Sequence, residues 1–334
     1  MIEDTKNLLL KDFENLSFDL SSWNQVLNIS SEISVFHLKS TIEYYSAYFQ
    51  GSNMSFVLHE SNKPVAIVPL FVYQEKDGWT ITSNGSGLIS PLFIEDVPRR
   101  LRKRLEQQIL EVIGIISKKL KIRKIILFEH SRILSSWYLL WLDRANKDFI
   151  TYQFAIDLQH TIEDIRLGFR KSYKPLVNKA LKEWRVEICE DNIEMPFEEF
   201  RKLHFEEAGK QTRSMDTWSI QKAQISNKEA FLVTVRDDME LIGAGLFNYS
   251  RDIGMYSVGA YKRELFDKPI GHAVQMIAIK KLKDIGCKTY LLGQKATNLQ
   301  GSSASSKELS ISHFKDGFAG YLYAQPYLEI DINE

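Results

Sequence analysis

Only two of the 334 residues are cysteine, Cys189 and Cys287. Two thiols cannot hold a zinc ion by themselves, and both read as small buried apolar residues suited to a reducing compartment. Charge of one sign is also missing: 43 Lys and Arg balance 43 Asp and Glu. A globally basic nucleic-acid binder is disfavoured and no DNA partner is expected, though a local basic patch stays open. The opening Met1-Ile2-Glu3-Asp4-Thr5-Lys6 has no basic stretch followed by an apolar run, so no secretory signal is read. No apolar run approaches the roughly 20 residues needed to span a bilayer. The segment 133–142 is short and broken by Ser and Tyr, and reads as a buried helix. No metal-ligand spacing, Ser/His/Asp arrangement or P-loop occurs. The expectation is a cytoplasmic protein without transmembrane segment, bound metal or tightly bound cofactor.

Length argues for about two domains, and patterning shows where they lie. Ile42, Tyr45 and Phe49 share one face of a helix over 39–49. Strands follow at 55–59, 64–73 and 79–83, separated by the turns Ser61-Asn62-Lys63 and Asp77-Gly78. A helix then starts near Pro98, with Leu101, Leu105, Ile109, Val112, Ile113 and Ile116 forming a stripe of period 3.6. The strand 124–128 closes this half. The second half repeats the order: helix 197–208, strands 230–235, 241–249 and 255–261, a helix from Pro269 to a stop at Gly286, and strand 289–292. Two successive helix–β–β–β–helix–β segments indicate an internal duplication. Each unit is a meander followed by a helical crossover to a parallel strand. The expected fold is α+β: two tandem N-acetyltransferase-like (GNAT) domains at 1–155 and 156–334, each a mixed sheet flanked by helices.

Between the repeats, residues 166–185 hold seven Lys or Arg and one Glu. Pro175 suits a helix start better than an interior, so this reads as a broken amphipathic helix with a basic outer face. Such a face is either a solvated charge run or a place for phosphates of a nucleotide-linked substrate or an RNA end.

The C-terminal residues carry a resemblance. Pro269, His272, Gln275, Tyr290-Leu291-Leu292-Gly293 and Phe314-Lys315-Asp316-Gly317-Phe318, with Arg170-Lys171-Ser172-Tyr173-Lys174 and Gly209-Lys210-Gln211-Thr212-Arg213 upstream, resemble the FemAB-like transferases of the GNAT superfamily, including BioF2-like acetyltransferase domains. The resemblance implies an N-acyltransferase acting on an amine of a cell-envelope glycan or sugar-nucleotide precursor, as in polysaccharide biosynthesis. It implies acyl-CoA or aminoacyl-tRNA as donor co-substrate, so that tRNA becomes a partner in the second case. It carries Phe314 and Lys315 over as catalytic. Arg170, Lys171, Lys174, Gln211, Arg213, His272 and Gln275 are the substrate-binding candidates. A fixed lysine cation is chemically apt, because acyl transfer to an amine passes through an oxyanion. One departure stands out: the loop 263–272 has a single glycine, Gly271, where CoA-using relatives place a glycine-rich pyrophosphate cradle. The alternative reading is a non-enzymatic, degenerate transferase that binds a sugar-nucleotide or a partner protein in an envelope-polysaccharide pathway.

Overall fold

The computed structural model describes residues 1–131, 133–297 and 304–332. The chain forms two compact units, Met1–Ile150 with Gln325–Glu334, and Thr151–Ala324. The division expected at 155/156 thus falls at 150/151, and the last residues return to the first unit instead of ending the second.

In the first unit, α1 (Ile2–Asp12), β1 (Leu16–Ser17), α2 (Trp23–Asn28) and α3 (Lys39–Tyr48) lead into β2 (Ser52–Asn53), β3 (Phe56–Glu60), β4 (Lys63–Val68), β5 (Phe71–Glu75), β6 (Gly78–Thr82), β7 (Leu88–Ile89) and β8 (Leu92–Phe93). Then come α4 (Arg99–Leu120), β9 (Lys124–Phe128), α5 (Ser136–Leu142) and β10 (Lys147–Asp157), which runs on into the second unit. The strand expected over 64–73 breaks at Pro69, which has no amide hydrogen to donate to a ladder. Its second part, β5, pairs with β6 and β2 as a separate three-stranded sheet. The third strand of the meander is therefore β7 and β8, not 79–83: β8 is antiparallel to β4, and β7 is parallel to β9. The stripe on α4 buries Leu105, Ile109, Val112, Ile113, Ile116 and Leu120, each worth about 1.5–3 kcal/mol of apolar burial. In the segment 133–142, Trp137, Tyr138 and Trp141 are buried, but Ile133, Leu134, Leu139 and Leu142 are exposed.

The second unit continues with α6 (Ile162–Leu167), α7 (Tyr173–Glu183), β11 (Arg185–Cys189), α8 (Glu194–Ala208), α9 (Met215–Ser226), β12 (Ala230–Asp237), β13 (Glu240–Tyr249), β14 (Ile253–Tyr261), α10 (Ile270–Ile285), β15 (Thr289–Gln294) and α11 (Ser306–Asp316), and β16 (Tyr321–Asp331) begins in it and runs on into the first. The basic segment is indeed broken, with α6 and α7 flanking Gly168 and Pro175 in the first turn of α7. Strands β11 to β14 form an antiparallel meander, and α10 crosses over to β15, which is parallel to β14. The helix α10 is buried on more than one face, with Met276 and Ile279 joining Ile270, Ala273, Val274, Ala278 and Leu282. Gly286 ends it at φ 100°.

Both units therefore share a meander, a crossover helix and a parallel pair, and in both the parallel pair is short. In the first unit it ends at Ile89 and Phe128; in the second it ends at Met255 and Leu291. Past that point in the first unit the space is filled by Glu129, which is fully buried. Its carboxylate accepts from the amides of His130 at 2.9 Å, Ser131 at 3.0 Å and Ser135 at 3.2 Å, and from the hydroxyls of Ser90 and Ser135. His37 packs its ring 4.9 Å from that of His130 and bonds the Ser90 carbonyl through Nε2 at 3.0 Å. Burial, with the nearby His130, pulls the His37 pKa down to about 3, so the ring is neutral.

Glu129→Ala leaves these donors buried without an acceptor. Its unfolding free energy in urea is expected to fall by about 3 kcal/mol; a loss below about 1 kcal/mol would show that water replaces the carboxylate.

Candidate functional site

In the second unit the corresponding gap is not filled by a carboxylate. Strand β14 follows β13 as far as Tyr261, while β15 stays with β10 through Gln294 paired to Gln153. Beyond Met255 and Leu291 the facing edges of β14 and β15 part. A β-bulge where β14 passes Leu246 and Phe247 of β13 shifts the side-chain alternation just after Tyr256. Tyr256 stacks on Phe247 and shares a hydroxyl–hydroxyl bond of 3.0 Å with Tyr261. Burial pushes the Tyr256 pKa up to about 12 and that of Tyr261 well above the usual phenol value.

Lys315, in the last turn of α11, sends its ammonium into this gap. Nζ lies 6.0 Å from the centre of the Tyr256 ring and against Gly293 of β15. Gly293 has φ 116°, which favours glycine, and a β-carbon there would push Nζ, the end of a flexible side chain, out of place. No carboxylate among the described residues pairs with Lys315, and burial alone lowers its pKa to about 8. At neutral pH it is a cation with no protein anion to balance it.

An aromatic cage holds the lysine in place. Phe314 packs with Tyr173, His272 and Phe318, at ring separations of 6.2, 5.2 and 5.4 Å. Tyr173 donates its hydroxyl to the Phe314 carbonyl at 3.1 Å, and its ring covers Gly317, where any side chain would collide. The amide of Gly320 bonds Ala155 of β10 at 3.0 Å, which fixes the exit of the turn. The Phe-Lys turn and the segment opening α7, two pieces of the sequence resemblance, are thus packed on one another.

The other candidates divide. Arg170 joins the cage, but its guanidinium bonds Nε2 of His313 at 2.8 Å, the His313 carbonyl at 3.1 Å and Asp316 at 3.3 Å, and lies over the Tyr173 ring. It clamps α11 to the start of α7, where the sequence suggested a cation facing substrate. His272, the third residue of α10, lies in the cage with Nε2 buried and unbonded. Burial, then the Arg170 charge, lowers its pKa to about 4. Gln275 is 1% exposed and accepts from the Tyr290 hydroxyl, so it sits beneath the gap and not at its mouth. Lys171 and Lys174 lie on the outer side of the α7 start, exposed and partly exposed. Gln211 and Arg213 are not beside Lys315. They line a separate pocket of about 240 Å³ with Arg201, His204, Lys210 and Trp218, and no carboxylate lines it. There Arg213 bonds His204 at 3.2 Å and lies over Trp218, and burial with the Arg213 charge lowers the His204 pKa to about 4. Sequence reasoning missed Tyr256 as a site residue, since the bulge that aims it leaves no local signature. It also passed over Tyr173 and Gly293, which appeared only as parts of motifs. Among the described residues no cluster of His, Cys, Asp and Glu could hold a metal, and no helix is long and apolar enough to cross a membrane.

No protein-family model matches the sequence. No curated protein matches it either. Solved structures do. FemX superposes with a TM-score of 0.69 at 13% identity, covering 95% of this chain and 97% of that one. L-PGS from Bacillus licheniformis gives 0.61 at 13% identity, over 95% and 93%. The C-terminal domain of a putative lysylphosphatidylglycerol synthetase from Agrobacterium fabrum gives 0.60 at 10% identity, over 93% of both chains. The chain shares the fold of these proteins over almost its whole length.

Two measurements test these environments. Gly293→Ala should lower stability by about 1–2 kcal/mol through its positive φ and displace the Lys315 ammonium, seen as a change in the lysine's reactivity toward an amine label; unchanged labelling would remove the contact. His37, His204 and His272 are neutral when folded but protonate near 6.5 when unfolded. Protons therefore favour the unfolded chain below that pH. The melting temperature should fall as pH drops from about 6.5 toward 4, and His272→Phe should flatten that slope.

Proposed function

We propose that this chain is an N-acyltransferase that moves an acyl or aminoacyl group onto an amine, with Lys315 as its catalytic cation. The observation that carries the reading is the unbalanced ammonium in the gap between β14 and β15. A buried cation without a partner is destabilising, and a ligand that supplies negative charge there offsets that cost. In acyl transfer the amine attacks the donor carbonyl carbon, and the carbonyl oxygen becomes an oxyanion. Lys315 is placed to stabilise it, while Phe314 holds the lysine through the cage. The C–N bond forms, the bond to the leaving oxygen or sulfur breaks, and the amine proton leaves with that group or to solvent.

The donor reading favours aminoacyl-tRNA over acyl-CoA. The first turn of α10, where a pyrophosphate cradle would stand, is covered: the Phe314 ring is 3.1 Å from where a β-carbon on Gly271 would lie. The fold shared with a putative lysylphosphatidylglycerol synthetase is in line with aminoacyl transfer. The carboxylate-free pocket of Arg213, Gln211 and Lys210 suits the phosphates of a nucleotide-linked acceptor or of the tRNA, and Lys171 and Lys174 add positive charge on the outer side of α7. His272 and Gln275 support the site from beneath, Gln275 through Tyr290. The acceptor is an amine of a cell-envelope glycan or sugar-nucleotide precursor.

Product formation from a panel of aminoacyl-tRNAs and acyl-CoAs, read by mass spectrometry, tests the reaction. Lys315→Ala should cut kcat about 100-fold or more; full turnover by a folded Lys315→Ala would end the assignment. Since the cation is the active form, the rate should fall as pH rises through about 8; a rise there would make Lys315 a base instead. Because its charge is buried unpaired, Lys315→Met should be inactive yet more stable at pH 7, by about 1–3 kcal/mol.

A further inference from the structure

The first unit holds a second recess that the transfer chemistry does not use. It is a groove of about 530 Å³ bounded by β6, the Gly85-Ser86-Gly87 turn and the start of β9. Trp79 packs on the core of the unit and also lines the groove. Tyr73 donates its hydroxyl to Glu75 at 2.6 Å, which fixes that carboxylate at the rim beside Asp77. Lys121 and Arg123, both exposed, also line the groove, and neither forms an ion pair among the described residues. Lys124 is already paired with Glu329 at 2.7 Å.

The charge balance decides the ligand. Two carboxylates and two unpaired cations share one groove, so its net field is close to zero. A site for phosphate or a nucleic-acid strand concentrates positive charge instead, as the Arg213 pocket does. A held acceptor, Glu75, with Asp77 and the two exposed cations around one indole, matches a ligand rich in hydroxyls. Such groups donate to Glu75 and Asp77 and accept from Lys121 and Arg123, while the C–H face of a sugar ring lies on Trp79. The volume falls in the range of small-ligand sites. Lys121 adds a backbone argument. It closes α4 in the left-handed region, at φ 54°, where glycine is favoured. The chain keeps a long cation there despite the conformational cost.

We propose that this groove binds a neutral oligosaccharide segment, with Trp79 as its stacking platform, separately from the transfer centre of the second unit. Chitotriose, cellotriose and mannotriose serve as probes on the full chain, with inorganic phosphate and UMP as anionic comparators, read by calorimetry and ligand-observed NMR. At least one trisaccharide should bind saturably. Trp79→Ala should weaken that binding at least ~10-fold, and Trp79→Phe, which keeps an aromatic face, should retain most of it. Lys121→Gly relaxes the backbone and so folds at least as well, and should weaken binding severalfold. The proposal is overturned if no trisaccharide binds at about 10 mM, if binding ignores both Trp79→Ala and Lys121→Gly, or if phosphate and UMP occupy the groove and the sugars do not.

Discussion

A single unbalanced charge organises the second unit. A buried ammonium without a counter-charge is destabilising unless packing holds it in place, and the residues around Lys315 and Phe314 do so. The bulge in β14 brings Tyr256 under it, the left-handed Gly293 makes room for it, and Phe314, Tyr173, His272 and Phe318 fix the turn that carries it. An unpaired charge held at one point is not required for packing, which is what singles this place out as a candidate site.

The duplicated architecture makes the contrast sharper. Both units part their parallel strands at corresponding places, after Ile89 and Phe128 in one and after Met255 and Leu291 in the other. The first unit closes that opening with Glu129, whose acceptor capacity is consumed by amides and hydroxyls. The second leaves its charge unanswered. One scaffold thus supports a hydrogen-bonded carboxylate in one copy and an unpaired cation in the other, and the difference lies in how completely each charge is hydrogen-bonded.

Partner geometry also redistributes roles among residues that look alike in sequence. Arg170 and Arg213 are both arginines in basic segments. Three acceptors on α11 engage the first and make it a clamp, whereas the second rests on Trp218 and His204 at the wall of a carboxylate-free pocket. Gln275, spaced on α10 as if to face a substrate, turns inward to Tyr290 because that helix is buried on more than one side.

The stripes on α4 and α10, the left-handed stop at Gly286 and the repeated crossover pattern were legible in the sequence alone, because helical period and glycine conformation are local properties. Phe314 and Lys315 were singled out through a resemblance carried by ordered motifs, and the structure sets them beside Tyr173 and Tyr256. The break of 64–73 at Pro69, the strand-like segments β10 and β16, the bulge beside Tyr256 and the burial of Glu129 with His37 were not legible in the sequence. Each depends on which strand lies alongside which, and on whether a polar group finds a partner far away in sequence. Such pairing is a property of the assembled sheet, so only the tertiary structure decided which charges are satisfied and which is left to act.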